Sequence, residues 1–285
     1  MNIFEISNKF LTVTLSDMGG EMQSVKLLGE DRLWRGDSAF WKYHAPFLFP
    51  IVGRLNENQA VIKGGKYAMN QHGLNRIALH QMVEKSESSI TFCFSSDSET
   101  LKAFPYEFEL YTKYTLIGKK VEIIVTIKNK NDVALPCSVG AHPAFPIDLH
   151  EGDTLENYEV VFENEETGLT QLLVSDAGLY CGEKVCDKIQ VVEIDEKSLN
   201  GTIIYKDFKS NWVSLVRKET GEKVSSFLGG HELIAFWKCE NAPFLCLEPW
   251  NGIADPEGYT GDFEKKPYIE KIDDEKSYDF SIKFE

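Results

Sequence analysis

The chain has 285 residues, of which 30 are Lys or Arg and 45 are Asp or Glu, so its formal net charge is −15. Hydrophobic residues make up 42% and charged residues 26%, and a chain of this length buries about three quarters of its unfolded surface, which excludes general disorder. The negative charge argues against recognition of a polyphosphate backbone or an anionic membrane, so we expect no nucleic acid and no membrane as partner.

Short runs in which apolar and polar residues alternate predict β-strands from the start of the chain to its end. Clear examples are residues 10–15, 22–28, 89–94 and 200–205, and each is rich in β-branched or aromatic side chains. A strand with this alternation is buried on one face only.

The strongest alternation lies in residues 106–130. Alternate residues from Tyr106 to Leu116 share one face, and a second set runs from Val121 to Ile127. The segment Gly118-Lys119-Lys120 separates the two runs. This arrangement predicts a long hairpin with a glycine-containing turn.

Apolar residues nowhere keep helical spacing over several turns, so we expect helix only near residues 38–42 and 99–104. More than a dozen strands must bury their apolar faces by packing sheet against sheet. No linker, composition break or repeat divides the chain. We therefore predict a single all-β domain over residues 1–285, a large antiparallel β-sandwich with little helix. The acidic stretch 151–166 fits a solvated loop and an edge strand.

Cysteine usage and the terminal sequence indicate a compartment. The six cysteines, at positions 93, 137, 181, 186, 239 and 246, are too sparse for a disulfide scaffold and form no paired CxxC zinc motif, so we expect free thiols. The sequence has no apolar segment of about 20 residues and no secretory signal pattern at its start. We expect a cytoplasmic protein.

Three regions interrupt the alternation with titratable residues beside Gly, Pro and aromatic residues, a composition typical of functional loops at sheet ends. They are residues 45–54 with 71–76, residues 139–147, and residues 244–255. Glu248 ends an apolar run, where partial desolvation suits a carboxylate for general base catalysis. His142 lies in a Gly-Ala-His-Pro turn, and histidine donates protons near neutral pH. A surface Glu and a packed or solvated His remain the alternatives.

Five further side chains in or near these regions fit sugar binding. His72 and Arg54 can hydrogen-bond hydroxyls or a ring oxygen, and Arg does so as a planar fork. Trp250, like Trp41 and Phe145, can stack on the apolar face of a sugar. A surface ion pair for Arg54 and a core position for the aromatic residues stay open.

Other catalytic motifs are missing from the sequence: it contains no GxSxG elbow, no HExxH zinc motif, no P-loop and no GxGxxG fingerprint. We therefore expect neither a metal nor an organic cofactor. Four segments, residues 31–55, 71–76 (QHGLNR), 137–147 (CSVGAHPAFPI) and 246–263 (CLEPWNGIADPEGYTGDF), resemble the aldose 1-epimerase (galactose mutarotase) family, and most closely its LacX-type branch. The resemblance implies a supersandwich of antiparallel sheets with a sugar cleft on one face and no cofactor.

The resemblance also implies an activity and residue roles. The family interconverts the α and β anomers of an aldohexose such as galactose or glucose through the open-chain aldehyde. Glu248 matches the base that takes the proton from the C1 hydroxyl, and His142 matches the acid that protonates the ring oxygen. His72 and Arg54 match residues that bind the ring oxygen and nearby hydroxyls, and Asp207 is matched to an aspartate that binds sugar hydroxyls.

Several functions compete with a mutarotase acting on a free aldohexose as a monomer or homodimer. An epimerase for hexose 6-phosphates needs a cationic pocket, which Arg76 and Arg54 can begin. A carbohydrate-binding protein without turnover needs neither the base Glu248 nor the acid His142. A glycosidase needs two carboxylates at a set separation, and the matching segments contain one in a strong context.

Overall fold

The computed structural model describes residues 1–192, 194–195, 199 and 201–285. Antiparallel strands form most of its regular structure. The first strands are β1 (Ile3–Ser7), β2 (Leu11–Ser16), β3 (Met22–Leu27), β4 (Glu30–Asp31), β5 (Phe47–Leu48), β6 (Gln59–Ile62), β7 (Gly65–Ala68), β8 (Gln81–Lys85), β9 (Ser89–Ser95), β10 (Phe108–Ile117), β11 (Lys120–Asn129), β12 (Leu135–Cys137), β13 (Val139–Ala141) and β14 (Ala144–Pro146).

The remaining strands follow the long loop after β14. They are β15 (Tyr158–Glu166), β16 (Thr170–Val174), β17 (Tyr180–Val185), β18 (Ile189–Val192), β19 (Ile203–Lys206), β20 (Trp212–Arg217), β21 (Lys223–Phe227), β22 (Leu233–Trp237), β23 (Phe244–Asn251), β24 (Glu270–Ile272), β25 (Glu275–Asp279) and β26 (Ile282–Phe284). Helix within the described ranges is limited to α1 (Thr100–Ala103) and the 3-10 turns Asn56–Asn58, Asn75–Ile77, Leu155–Asn157 and Phe263–Lys265. None of the described helices has the length and apolar composition needed to cross a membrane.

Two large sheets form the sandwich. The first has the order β18-β15-β20-β21-β26-β11-β10-β9-β8, with β25 on β11, and the second has the order β17-β16-β19-β22-β23-β13-β5, with β14 on β23. Their facing side chains share one apolar core; for example, the rings of Phe162 on β15 and Phe236 on β22 are 6.3 Å apart. The predicted all-β antiparallel sandwich with little helix is confirmed.

The hairpin predicted in residues 106–130 forms as β10 and β11. Its register pairs Phe108 with Asn129 and Ile117 with Lys120. Gly118 then turns the chain at a φ of 61°, a left-handed conformation that glycine adopts without a steric penalty. Alternate side chains of both strands are buried in the core, as the alternation predicts.

The other predicted strands and one predicted helix form at or near the expected positions. The runs at 10–15, 22–28 and 89–94 correspond to β2, β3 and β9. The run at 200–205 overlaps β19, although Asn200 lies outside the described residues. Predicted helix near 99–104 forms as α1.

Two predictions are wrong. Residues 38–42 form no helix, because the backbone N–H groups of Phe40 and Trp41 both bond to the carbonyl of Asp37 and close a single turn. The acidic stretch 151–166 contains no edge strand, because β15 pairs with β18 on one side and β20 on the other. Its last residue, Glu166, is fully buried.

A buried ion pair holds the loop that follows β23. Lys266 Nζ lies 2.9 Å from Asp255 Oδ1, and the Lys266 side chain is fully buried. Asp255 Oδ2 also accepts a hydrogen bond of 2.9 Å from the backbone N–H of Asn56. Since Ile253 and Ala254 precede Asp255, these bonds set the position of the loop relative to the sheet.

We predict that Lys266→Met lowers the free energy of unfolding by about 3–5 kcal/mol, because it leaves the Asp255 carboxylate buried without its cation. Urea denaturation followed by circular dichroism measures the change. Lys265→Met is the matched control, since the Lys265 side chain is 76% exposed in its ion pair with Asp262, and exposed pairs contribute little. Equal stability of the two variants would contradict the role given to the buried pair.

Candidate active site

A cavity of about 250 Å³ lies on the sheet that contains β23. Its polar lining residues are Gln71, His72, Arg76, His142, Thr202 and Glu248. Three indole rings, those of Trp41, Trp237 and Trp250, form much of the rest of its surface. This combination of a few polar groups in an apolar, aromatic wall is typical of small-molecule sites.

Strand register brings the central side chains of this cavity together. Glu248 on β23 pairs with Ala235 on β22. On the other side of β23, Gly140 pairs with Trp250 and Ala144 pairs with Cys246. His142 lies midway between Gly140 and Ala144, so continuation of the register places it beside Glu248. Long-range pairing therefore assembles the two titratable residues that the motifs single out.

Glu248 and His142 form a close buried pair. His142 Nε2 lies 3.3 Å from Glu248 Oε2, and the two side chains are 7% and 1% exposed. The Trp41 ring stacks on the imidazole with 4.7 Å between centroids, and the Trp237 ring meets it edge-on at 5.4 Å. His142 is therefore held between aromatic rings with Nε2 next to the carboxylate.

Burial makes both members of the pair neutral. Desolvation raises the pKa of the Glu248 carboxyl well above its usual range, and the neighbouring Trp250 indole only partly opposes this. Desolvation also lowers the pKa of His142 to about 3, with a further contribution from the positive charge of Arg76. Because a buried medium penalises each charged form, burial favours the state in which the Glu248 carboxyl is protonated and the His142 imidazole is neutral.

Several polar atoms of this site have no partner within the protein. Both carboxylate oxygens of Glu248, His142 Nδ1 and Trp250 Nε1 are buried and make no hydrogen bond. Buried polar atoms are nearly always bonded in folded proteins, and exceptions call for an explanation such as a bound molecule. The unpaired atoms next to the cavity suit a ligand that is rich in hydroxyl groups.

His72 is held in a defined tautomer at the cavity wall. The backbone N–H of Gly53 donates to His72 Nδ1 over 3.2 Å, so Nδ1 carries no proton and Nε2 carries it. Burial lowers the pKa of His72 well below its usual value, and the charges of His142, Arg76 and Arg54 act in the same direction. His72 is therefore a neutral hydrogen-bond donor at Nε2.

Arg76 contributes the cationic group of the cavity wall. Its guanidinium lies over the Tyr43 ring, 4.8 Å from the centroid, and Nη2 donates to the carbonyl of Gln71 over 2.9 Å. Burial lowers the pKa of Arg76, but Tyr43 and Glu21 counteract this. The guanidinium stays charged at neutral pH.

Two predicted sugar-binding residues are exposed and do not line the cavity. Arg54 is exposed and donates to the carbonyl of Ala177 over 3.1 Å. Asp207 follows β19 with a φ of 66°, and its side chain is exposed. Neither belongs to the lining residues that the structure describes. The geometry thus supports Glu248, His142, His72, Arg76 and Trp250 as a group, and gives Asp207 no contact with it.

Sequence reasoning missed Gln71, Thr202 and Trp237 as lining residues. The sequence could have indicated Gln71, since this residue begins the QHGLNR segment that contains His72. Trp237 is the last residue of β22 and reaches the cavity through the pairing of that strand with β23. No local pattern marks it. Phe145, in contrast, lies in the core rather than in the cavity.

A third donor lies beside the central pair. Ligand atoms of His142, Cys246 and Glu248 are all within 4.8 Å of one another. Zinc accepts ligands of these types in other proteins. The Cys246 thiol packs among Trp34, Ala144 and other apolar residues, and burial raises its pKa well above the usual range. Because metals bind the thiolate rather than the thiol, a metal ion at this set would have to displace the thiol proton.

Comparison with known proteins agrees with the motifs. The family model for aldose 1-epimerase matches residues 2–257, and the chain therefore belongs to the aldose 1-epimerase family. Two relatives from Lactococcus lactis subsp. lactis, the plasmid and chromosomal forms of protein LacX, are each 30% identical to it over 298 residues, with 98% of both chains covered. The resemblance to the LacX-type branch is confirmed.

Solved structures share the whole fold. A galactose mutarotase related enzyme from Lactobacillus acidophilus has a TM-score of 0.94 and 28% identity, with 100% of this chain and 97% of that chain covered. A galactose mutarotase-like protein from Lactobacillus casei has a TM-score of 0.92 and 25% identity, with 100% and 99% covered. The sandwich is that of galactose mutarotase-like proteins.

We predict that the His142 ring stays neutral as the pH falls from about 7 to about 5. A buried imidazolium is destabilised, so protonation needs more acid than the ordinary His pKa of about 6.5 implies. Histidine ring signals in NMR spectra recorded across this range measure the protonation state, and His142→Asn assigns the signal. A titration midpoint near the ordinary value would contradict the electrostatic description of the site.

Proposed function

We propose that this member of the aldose 1-epimerase family is a mutarotase that interconverts the α and β anomers of a free aldohexose such as galactose or glucose. The observation that carries the proposal is the 3.3 Å contact between His142 Nε2 and Glu248 Oε2 in a cavity of about 250 Å³. Opening a hemiacetal ring requires loss of a proton at O1 and gain of a proton at O5. One base and one acid in contact supply both.

The single proton of the pair sets the sequence of steps. Transfer of that proton from Glu248 to His142 gives a carboxylate next to an imidazolium. The carboxylate then takes the O1 proton, the C1=O1 double bond forms, the C1–O5 bond breaks, and His142 gives its proton to O5. Glu248 ends protonated and His142 neutral, which is the favoured form of the empty site. The two buried charges that the first transfer creates are removed again when the ring opens, so the site returns to its starting protonation state.

Ring closure reverses these transfers. After rotation about the C1–C2 bond, His142 takes the proton back from O5 while Glu248 returns a proton to O1. Attack of O5 on the other face of C1 then gives the opposite anomer. No proton or electron is gained or lost over the cycle, so the reaction needs no co-substrate.

Neighbouring groups hold the sugar in this scheme. His72 donates through Nε2 to a ring or hydroxyl oxygen, and Gln71 and Thr202 offer further polar contacts. The rings of Trp41 and Trp237 provide flat apolar surfaces for the C–H face of a pyranose and limit access of water to the pair. A sugar that fills these positions satisfies the unpaired oxygens of Glu248.

One observation favours a second candidate, a hexose 6-phosphate epimerase. Arg76 places a guanidinium in the cavity wall, and guanidinium groups bind phosphate in a bidentate manner. Against this, Arg76 already bonds to Gln71 and lies over Tyr43. A glycosidase is disfavoured, since Glu248 is the one carboxylate among the described lining residues and glycoside hydrolysis needs two.

The direct test is the mutarotation rate of freshly dissolved α-galactose, α-glucose and glucose 6-phosphate, followed by polarimetry or NMR with catalytic amounts of protein. We expect acceleration of the free sugars, and Arg76→Met should leave it within about threefold. Acceleration confined to the phosphate ester, and lost in Arg76→Met, would replace the mutarotase by the second candidate. A protein that accelerates none of them would contradict both.

We further predict that Glu248→Gln lowers kcat by about 10²–10⁴-fold, the usual contribution of one proton transfer, while KM changes little because the amide keeps the shape of the side chain. Initial mutarotation rates over a range of sugar concentrations separate the two constants. Glu183→Gln is the control, since Glu183 lies on β17 of the same sheet and pairs with Lys206. Full activity of the Glu248 variant would remove this residue as the base.

A further inference from the structure

A second buried carboxylate lies behind the wall of the cavity and takes no part in the proton transfers. Glu21 is 5% exposed, and its Oε1 accepts hydrogen bonds from the backbone N–H groups of His44, at 2.6 Å, and Ala45, at 2.8 Å. Its Oε2 accepts a bond of 3.2 Å from Gln23 Nε2. Two of these three bonds tie Glu21 to one backbone segment.

That segment, residues 37–45, contains Trp41, whose ring covers the imidazole of His142. It contains neither helix nor strand. Its backbone bonds include those of the turn that begins at Asp37 and one of 2.9 Å from the Ala144 N–H to the His44 carbonyl. Trp41, in its middle, stacks on His142 and contacts Trp237 with 5.6 Å between ring centroids. The Glu21 side chain binds the C-terminal end of this segment. A hydrogen bond of 2.9 Å from Trp34 Nε1 to the carbonyl of Trp41 holds its centre.

Glu21 also interacts electrostatically with Arg76, which lines the cavity. Burial raises the pKa of the Glu21 carboxyl to about 7, and its backbone hydrogen bonds and the positive charge of Arg76 oppose this rise. In its ionised form Glu21 favours the charged form of Arg76, whose pKa burial lowers. Tyr43, one residue before the first amide that Glu21 binds, lies under the guanidinium. One carboxylate therefore acts on both the segment with Trp41 and the residue that brings positive charge to the cavity.

The turn that presents Glu21 is itself held firmly. Tyr114 on β10 donates its buried hydroxyl to the carbonyl of Gly20 over 2.5 Å. A Cβ atom on Gly19 would come within 3.2 Å of the backbone oxygen of Arg76, so this turn packs directly on the 3-10 turn Asn75–Ile77. The turn that precedes Glu21 is therefore held by contacts with β10 and with the 3-10 turn, and Glu21 bonds from it to the segment of residues 37–45.

We propose that Glu21 is a positioning residue that holds the segment of residues 37–45, and with it Trp41, in the arrangement that receives the sugar; this inference rests on the proposed mutarotase function. Glu248 and His142 belong to β23 and to the turn between β13 and β14, which are positioned by strand pairing. Loss of Glu21 therefore disorders the wall more than the reacting pair. A sugar binds more weakly to a wall that must first be ordered. We therefore expect KM, rather than kcat, to change.

The experiment compares Glu21→Ala with Glu166→Ala. Glu166 is a matched control because it is also fully buried and accepts two backbone N–H bonds, from Lys209 at 2.9 Å and Ser210 at 2.7 Å. Glu166 lies on β15, in the large sheet that does not contain β23. Both variants should lose stability. We expect KM to rise about tenfold in Glu21→Ala with kcat within about threefold, and to stay unchanged in Glu166→Ala.

Rescue by a conservative variant separates positioning from general damage. The amide oxygen in Glu21→Gln can still accept both backbone bonds, so its KM should stay within about threefold of the original protein. Should Glu21→Ala not fold, Glu21→Asp takes its place, because the shorter side chain cannot reach both amides. Equal KM values in the Glu21 and Glu166 variants, or an equally raised KM in Glu21→Gln and Glu21→Ala, would overturn the proposal.

Hydrogen exchange measured by mass spectrometry distinguishes failure of this inference from failure of the proposed function. Faster exchange of residues 37–48 in Glu21→Ala, but not in Glu166→Ala, supports the anchoring even if the original protein accelerates no mutarotation. Unchanged exchange in this segment would refute the anchoring whatever the activity. Mutarotation by the original protein with the expected KM pattern supports both.

Discussion

The antiparallel pairing of β23 with β13, β14 and β22 is the constraint on which the site depends. This pairing places Glu248 and His142 side by side although 106 residues of chain separate them, and it places Trp237 next to them from the other side. Register in a sheet with one buried face is strongly specified, since a shift of one residue turns every side chain to the opposite face. The core that stabilises the sandwich therefore also determines the geometry of the acid and the base.

Burial gives this pair its chemistry. In water a glutamate is ionised and a histidine is partly protonated at neutral pH, so the two would attract as an ion pair. In the sandwich, desolvation raises the pKa of Glu248 and lowers that of His142, and the proton resides on the carboxyl. The charged arrangement needed to open a sugar ring then lies above the neutral one in energy, and the reaction itself returns the pair to the neutral state.

Carboxylates that bind backbone amides recur where the chain leaves regular structure. Glu21 binds the segment that carries Trp41, Asp255 binds Asn56 and Lys266 beside the loop after β23, and Glu166 binds the turn before β20. Each supplies the backbone with hydrogen bonds that a strand or helix would otherwise make, and such bonds are stronger when the carboxyl is ionised. Loops built in this way can line a cavity with little freedom to rearrange, which suits a preformed binding site.

The sequence by itself determined the strand content, the long hairpin of β10 and β11, and the segments that hold Glu248, His142 and His72, because alternation and local motifs are properties of neighbouring residues. The tertiary structure alone decided that Trp237 and Thr202 reach the cavity, that β15 is an inner strand, and that Asp207 and Arg54 are not among the described lining residues. These facts depend on which distant strands pair and in what register. Such pairing is set by the packing of the whole core, so no short stretch of sequence encodes it.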